Sequence, residues 1–139
     1  MDKKENAINN DLSIRNFTLK DVDYVITGHH KMYEAEYSLN TSVWKLYVAD
    51  DVHDFVNNFD NEKDCLLILD YNGIPSGSAA IKQIDHETAQ FRFFLIEPEL
   101  RGLGAGHMLF DMAIDFCRNN GYKHVFLWTF STLVAETFI

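Results

Sequence analysis

The chain has 139 residues, of which 47% are hydrophobic and 14% aromatic; this composition excludes a disordered chain and predicts one domain with a single core. Its formal net charge of -9, from 21 acidic and 12 basic residues, would repel a phosphate backbone, so no nucleic-acid binding is expected. Apolar runs such as CLLIL and FFLI are too short to cross a bilayer, so no membrane partner is expected either.

The N-terminal segment and the cysteines give further expectations. Residues 1–11 are polar and lack the apolar core of a signal peptide, so they are predicted to form a flexible tail before one domain over residues 12–139. The two cysteines, Cys65 and Cys117, have no metal-site spacing, which favours a reduced, cytoplasmic setting. Six histidines are present without an H-E-x-x-H motif, so no metal site is predicted.

The first part of the domain predicts one strand and two helices. Residues 12–19, LSIRNFTL, alternate between apolar and polar side chains, as a strand does. Thr18 followed by Asp21 resembles a helix-starting cap, and a helix is predicted from there to about Tyr37. A second, less regular helical stretch follows around Val43–Phe59. The apolar face of the first helix is predicted to contain Val22, Val25, Ile26, His29, Met32 and Tyr33.

The middle of the domain predicts three consecutive strands. CLLILDYNGIPSGSAAIKQI is a hairpin signature, because Asn72-Gly73 favours a tight turn between two apolar runs. A second turn at residues 85–87 leads into TAQFRFFLIEP, which Pro98 ends. Apolar residues on both faces favour a central position for this third strand. Strict alternation of side chains along this strand predicts that one face carries Ala89, Phe91, Phe93 and Leu95. The opposite face is predicted to carry Gln90, Arg92, Phe94 and Ile96.

The last part predicts a helix, a strand and a further helix. The first of these helices follows ELRGLGAG and is closed by Asn120-Gly121. HVFLWTF then predicts a buried strand, and TLVAETFI a final helix, which gives the order β-α-α-β-β-β-α-β-α. The apolar stripe of the helix after the glycines is predicted to contain Met108, Leu109, Met112, Ala113, Phe116 and Cys117.

The segment ELRGLGAG, residues 99–106, places three glycines directly before that helix. Glycines in a strand-to-helix loop let several N–H groups converge on an anion, and the helix dipole adds partial positive charge there. A nucleotide P-loop requires Gly-Lys-Ser/Thr, and a dinucleotide fingerprint requires G-x-G-x-x-G in a βαβ unit. Neither pattern is present, so the residues predict an anion-binding loop of another kind.

The stretch LIEPELRGLGAGHMLFDMAIDFCRNNGYKHVFLWT resembles the acetyl-CoA signature of the GNAT superfamily of N-acetyltransferases. The family pattern Arg/Gln-x-x-Gly-x-Gly/Ala is matched by Arg101, Gly104 and Gly106. The similarity covers roughly residues 12–139 and is nearest to the acetyltransferase domains fused to MarR-type regulators. It implies an α/β (α+β) fold with a mixed, mostly antiparallel central sheet flanked by helices.

The resemblance also implies acetyl-CoA as the cofactor and assigns residues to it. The main chain of Leu95 and Ile96 would pair with pantetheine, and an N–H near Ile96 would contact the thioester carbonyl. The N–H groups of six consecutive residues would bind the pyrophosphate: Arg101, Gly102, Leu103, Gly104, Ala105 and Gly106.

The implied activity is acetyl transfer from acetyl-CoA to a primary amine of a small molecule or peptide. Glu34 and Glu36, near the end of the first helix, are candidate proton acceptors, and Gln90 and Arg92 are candidates for the acceptor pocket. Glu97 is nearer to the motif but is expected to be a surface carboxylate.

In the family, a tyrosine about one position beyond Ile139 protonates the leaving sulfur, and two further strands follow. The sequence therefore predicts a domain that lacks the last two strands, and no general acid is assigned. The uncovered edge predicts a homodimer that covers the missing strands. The alternative function is a truncated, non-catalytic module that binds coenzyme A or a protein partner.

Overall fold

The computed structural model describes residues 11–38, 41–128 and 135–137, and their strands form a single sheet. Neighbouring strands are antiparallel except for β4 and β5, which are parallel. The predicted tail lies outside these residues apart from Asp11. In chain order and in spatial order the strands are β1 (Leu12–Asn16), β2 (Cys65–Tyr71), β3 (Ile74–Gln83), β4 (Thr88–Ile96), β5 (His124–Trp128) and β6 (Ala135–Thr137).

Three helices cover the two faces of the sheet. Helices α1 (Val22–Tyr37) and α2 (Ser42–Asn57) pack on one face, and α3 (Ala105–Asn119) packs on the other. Alternate residues of β2 enter the two cores, since Leu67 contributes to the α3 side and Leu66 to the α1 and α2 side. The mixed, mostly antiparallel sheet flanked by helices confirms the predicted fold class, and β4 has the predicted central position. Among the described helices, none has the length and apolar character that a bilayer span requires.

Two local predictions are confirmed at the turns. Asn72 and Gly73 both have positive φ, 54° and 80°, as a two-residue hairpin turn requires. In the 3-10 turn Leu19–Asp21 that leads directly into α1, the Asp21 carboxylate accepts a 2.7 Å hydrogen bond from the Thr18 N–H, so this pair forms the predicted cap one turn before the helix.

Two predictions about helices are wrong. The stripe of α3 is centred on Ala105, Leu109, Ala113 and Cys117, and Phe116 packs against the same core. The prediction is confirmed for Leu109, Ala113, Phe116 and Cys117 and is wrong for Met108 and Met112, which are 37% and 44% exposed. The predicted stripe was rotated around the helix towards the two methionines, because methionine suits both a core position and a partly exposed one. The predicted final helix is also contradicted, because residues 135–137 are extended and pair with β5. The rest of that segment lies outside the described residues.

Strand β4 contains a bulge that breaks the predicted alternation. Ser78 pairs with Leu95 and Ala80 pairs with Arg92, so that Phe93 and Phe94 together lie opposite Ala79. Phe91 and Ile96 point towards α3, whereas Phe93 packs in the core under α1 and α2. The prediction that Ala89, Phe91, Phe93 and Leu95 share one face is therefore wrong beyond Phe91. A single extra residue reverses the orientation of every side chain that follows it.

Arg15 joins β1, β2 and the start of α1 through two carboxylates. Its guanidinium donates two hydrogen bonds to Asp21, at 2.8 and 2.9 Å, and two to Asp70, at 2.7 and 3.4 Å. Asp21 is buried, and the hydrogen bonds from Arg15 lower its pKa from 3.8 to about 2 against the opposing effect of burial. Because the folded-state pKa is the lower one, the stabilisation is complete above pH 4 and is lost as the pH falls towards 2.

Asp21→Asn is therefore expected to lower the free energy of unfolding at pH 7 by about 1–3 kcal/mol, since it removes a charged partner of Arg15. Urea unfolding at several pH values measures this, and the difference from the wild type should shrink as the pH falls from 4 to 2. Asp23→Asn is the matched control, because Asp23 is exposed on the first turn of α1. An equal loss in both variants, or a difference that does not depend on pH, would contradict the assignment.

Candidate cofactor-binding site

Strands β4 and β5 separate soon after they begin, and this separation opens the site. Only three residue pairs join them, from Thr88–His124 to Gln90–Phe126, although β4 continues to Ile96. The C-terminal end of β4 is therefore paired with β3 on one side, and on its other side it is not paired with β5.

Two adjoining clefts lie at this end of β4. The larger, of about 390 Å³, lies against the glycine loop and the start of α3, and the smaller, of about 200 Å³, lies between α1 and the end of β4. Met32, Ile96 and Arg101 line both clefts, which makes them parts of one continuous groove. The larger cleft is lined by Met32, Phe94, Ile96, Arg101, Gly102, Gly104, Gly106 and His107.

The glycine loop presents main-chain donors to the larger cleft. Gly102 and Gly104 have φ values of 85° and 82°, in the left-handed region that favours glycine, and Gly104 is the N-cap of α3. No acidic residue occupies the first turn of α3, so the positive end of its dipole is not neutralised from within. Within residues 11–38 and 41–128, no protein acceptor is found for the amides of Gly102, Gly104, Ala105, Gly106 and His107.

Two of the six predicted donors are already in use. The Arg101 N–H donates to the Pro98 carbonyl at 3.1 Å, and the Leu103 N–H donates to the Leu100 carbonyl at 3.3 Å. These amides close the short 3-10 turn Pro98–Leu100 and the bend after it. The prediction that all six residues supply N–H groups is corrected accordingly: four remain available, and His107 joins them.

The main-chain N–H and C=O groups of Leu95 and those of Ile96 also point in different directions. The Glu97 N–H donates to the Ser76 carbonyl at 3.0 Å, which fixes the β3 side of the strand. Because main-chain groups alternate along a strand, those of Leu95 point to β3 and those of Ile96 point to the open side. An added Cβ on Gly77 would lie 2.7 Å from the Leu95 carbonyl oxygen, in agreement with this direction. Of this predicted pair, Ile96 alone is placed to pair with a bound strand-like ligand.

Arg101 and Glu36 form an ion pair across the groove between the loop and α1. Both side chains remain partly exposed, at 50% and 38%. Glu36 lines the smaller cleft, whereas Glu34 is exposed and lines neither cleft. The two predicted carboxylates are therefore not brought together, and only Glu36 faces the groove.

Glu97 is buried, contrary to the expectation of a surface carboxylate. It is 6% exposed, with its two oxygens bound to the Tyr24 hydroxyl at 2.8 Å and to the Lys31 ammonium at 3.0 Å. Burial, and secondarily this hydrogen bond, raise the pKa of Tyr24, so its hydroxyl stays protonated and donates. The three side chains fix α1 to the end of β4 beside the smaller cleft.

Gln90 and Arg92 lie on the same face of β4, as predicted, but line neither of the two clefts. Arg92 is bound to Asp51 of α2 and stacks on the Phe93 ring, 4.8 Å from its centroid. The geometry connects Arg92 to α2, and a role in the acceptor pocket stays a prediction.

Other reactive groups are unsuited to catalysis or metal binding in this arrangement. Burial raises the pKa of both Cys65 and Cys117 to about 12, so neither thiol is a nucleophile near neutral pH. His29 is buried, which lowers its pKa, and its Nδ1 contacts the Val25 carbonyl at 2.7 Å. Among the described residues, no three His, Cys, Asp or Glu side chains come together as metal ligands.

Sequence reasoning missed several residues of the groove. Met32, Phe94 and His107 line it, and Tyr24 and Lys31 hold the buried Glu97. The position of Glu97 directly before Pro98, at the end of a central strand, was the one available signal. Its partner Tyr24 lies 73 positions away in the chain, and no local pattern connects the two.

Comparison with known proteins identifies the family. A profile of the acetyltransferase (GNAT) family matches residues 29–136, and the chain therefore belongs to this family. It is 27% identical over 124 residues to an uncharacterised N-acetyltransferase of Methanocaldococcus jannaschii, a match that covers 84% of this chain. The chain spans 52% of that curated relative, about half of its length.

Solved structures show the same fold. An acetyltransferase of Streptococcus agalactiae superposes with a TM-score of 0.71 at 22% identity, covering 84% of this chain and 72% of the other. The PaiA N-acetyltransferase of Thermoplasma acidophilum, solved with coenzyme A, superposes with a TM-score of 0.67 at 15% identity, covering 88% and 81%.

Proposed function

We propose that this chain transfers the acetyl group of acetyl-CoA to a primary amine of a small molecule or peptide. The family assignment supports acetyl transfer, and the PaiA structure with coenzyme A supports the cofactor. The observation that carries the proposal is a set of five amides at the unneutralised start of α3, those of Gly102, Gly104, Ala105, Gly106 and His107, for which no acceptor is found within residues 11–38 and 41–128.

These donors fit a diphosphate. Hydrogen bonds to a charged acceptor contribute roughly 1.5–3 kcal/mol each, and several converging N–H groups with a helix dipole form an effective anion site. Gly102, Gly104, Ala105, Gly106 and His107 would hold the pyrophosphate, and Ile96 would pair with pantetheine on the open side of β4. In the transfer, the amine nitrogen bonds to the acetyl carbon, the C–S bond breaks with coenzyme A leaving as its thiolate, and the amine loses a proton.

Arg101 and Glu36 have linked roles in this proposal. Phosphate oxygens would compete with the Glu36 carboxylate for the Arg101 guanidinium, because Arg101 lines the same cleft as the free amides. Of the two predicted carboxylates, Glu36 is the one that faces the groove. Once phosphate has displaced it from Arg101, we assign to it the role of accepting the proton of the incoming ammonium group. Glu34 stays a secondary candidate, and Gln90 and Arg92 stay candidates for the acceptor pocket.

The direct test is thiol release from acetyl-CoA with a panel of primary amines, together with mass detection of the acetylated product. Acetyl-CoA binding and product formation with at least one amine are expected. Binding without product from any amine would contradict the transfer function and favour the module that only binds coenzyme A.

Gly104→Ala is expected to weaken acetyl-CoA binding by roughly tenfold, because alanine resists the left-handed backbone that directs the loop amides. Gly121→Ala is the matched control. Gly121 has a similar φ of 78° and equally open surroundings, but it follows the other end of α3. Both variants should lose about 1 kcal/mol of unfolding free energy. Calorimetric titration with acetyl-CoA distinguishes the two variants by their affinities. Equal affinities would rule out the loop as the phosphate site.

Glu36→Gln is expected to strengthen acetyl-CoA binding by roughly two- to fivefold, because the competitor of phosphate for Arg101 is removed. The same variant should lower kcat by roughly tenfold or more, since the proton acceptor is lost. Equilibrium titration and steady-state kinetics measure the two effects separately. Glu34→Gln serves as the control and should leave both nearly unchanged. A fall in kcat for Glu34→Gln alone would transfer the proton-acceptor role to Glu34.

A further inference from the structure

Phe93 has a backbone conformation that its side chain disfavours. Its φ is 53°, and the other described non-glycine residues with positive φ, Ser38 and Asn72, are small polar residues at a helix end and in a hairpin turn. A bulky aromatic residue in this region is an outlier that persists only when its surroundings enforce it. This strained residue lies in the bulge of β4, three positions before Ile96 at the groove.

The surroundings that hold this conformation include Ser78 of β3. The Ser78 side chain is fully buried, and its hydroxyl donates a 2.6 Å hydrogen bond to the Phe93 carbonyl. Ala80, two residues further along β3, packs in the core under α1 and α2, so Ser78 lies on that face of the sheet too. The hydroxyl therefore holds the Phe93 carbonyl out of the strand ladder and towards α1 and α2.

The carbonyl direction determines the direction of the next amide. In a trans peptide, the C=O of Phe93 and the N–H of Phe94 lie in one plane and point in opposite directions. With the carbonyl held towards α1 and α2, the Phe94 N–H is directed to the α3 face. The Phe94 ring lies on that face, with its centroid 5.4 Å from that of Phe91, and it lines the larger cleft together with Gly106 and His107 of α3.

We propose that Ser78 is a positioning residue that directs the Phe94 N–H at the carbonyl oxygen of the bound acetyl group, an inference that rests on the proposed acetyl transfer. The amide would stabilise the negative charge that this oxygen gains while the amine nitrogen bonds to the acetyl carbon and the C–S bond breaks. The Ser78 hydroxyl does not react; it holds the peptide. The family resemblance implies a donor near Ile96, and this proposal assigns it to Phe94, two positions earlier on β4.

Ser76 offers a matched control on the same strand. It is also buried, and its hydroxyl donates a 2.9 Å hydrogen bond to the Ile74 carbonyl of β3 itself. Ser76→Ala and Ser78→Ala therefore remove the same atom and one hydrogen bond each, but Ser78 alone bonds a carbonyl of β4 through its side chain. A purely structural effect should be shared by both variants.

The test compares the affinities of acetyl-CoA and S-ethyl-CoA, which has nearly the same shape but no carbonyl oxygen. Calorimetry without an acceptor amine gives both values. We expect the wild type and Ser76→Ala to prefer acetyl-CoA by roughly three- to tenfold, the value of one neutral hydrogen bond. Ser78→Ala should reduce this preference to below about twofold and should lower kcat by roughly tenfold or more. Its affinity for S-ethyl-CoA should stay close to that of the wild type.

A preference retained by Ser78→Ala, or lost equally by Ser76→Ala, would overturn the positioning role. If Ser78→Ala does not fold, Ser78→Cys replaces it, because the thiol is a weaker donor in nearly the same volume. A preference of Ser78→Cys for acetyl-CoA over S-ethyl-CoA that is smaller than that of the wild type then supports the positioning role of Ser78, and an unchanged preference overturns it. Equal affinity of the wild type for both ligands would overturn the Phe94 donor while leaving the cofactor assignment intact. Absence of any acetyl-CoA binding would instead overturn the proposed function, and this inference with it.

Discussion

The start of α3 is the constraint on which the account of this protein depends. Five amides, from Gly102 to His107, find no acceptor in the described part of the chain, and the first turn of the helix contains no carboxylate. Helix ends usually satisfy these groups with a capping side chain, but the N-cap here is Gly104, which has none. In the proposed function, these donors beside the cleft bind the diphosphate of the cofactor.

The rest of the site places other groups relative to that anion position. The Tyr24–Glu97–Lys31 cluster fixes α1 against the end of β4, so a buried carboxylate has a structural partner on each oxygen. Arg101, in contrast, is held by the partly exposed Glu36 and can exchange partners at low cost. The separation of β4 from β5 leaves the open side of Ile96 available, and the bulge in β4 contains the Phe93–Phe94 peptide. Rigid and exchangeable interactions thus occupy different parts of one groove.

Sequence alone predicted what depends on local chemistry. Asn72-Gly73 determines a hairpin turn by its φ requirements, the Thr18–Asp21 pair marks a helix start, and the glycines before α3 indicate an anion loop. These features are encoded within a few residues. The order of elements followed from periodicity as far as β5.

The features that sequence did not predict depend on contacts between distant residues. The bulge in β4 is held by Ser78, 15 positions before Phe93, and a strict period of two has no means of indicating it. Burial of Glu97 needs Tyr24 and Lys31 from another element. The amides of Arg101 and Leu103 looked like donors because of their neighbours, yet they close a short turn at Pro98–Leu100. Residue propensities predict that this segment is a loop, but the hydrogen bonds inside the loop determine which of its amides stay unpaired.

The central claim is most directly tested by titrating the isotope-labelled protein with acetyl-CoA while recording amide nitrogen and proton chemical shifts. We expect the largest downfield proton shifts at Gly102, Gly104, Ala105, Gly106 and His107, with smaller changes at Arg101 and Leu103, whose amides are already bonded. Saturable binding that leaves those five amides unchanged would contradict the central claim.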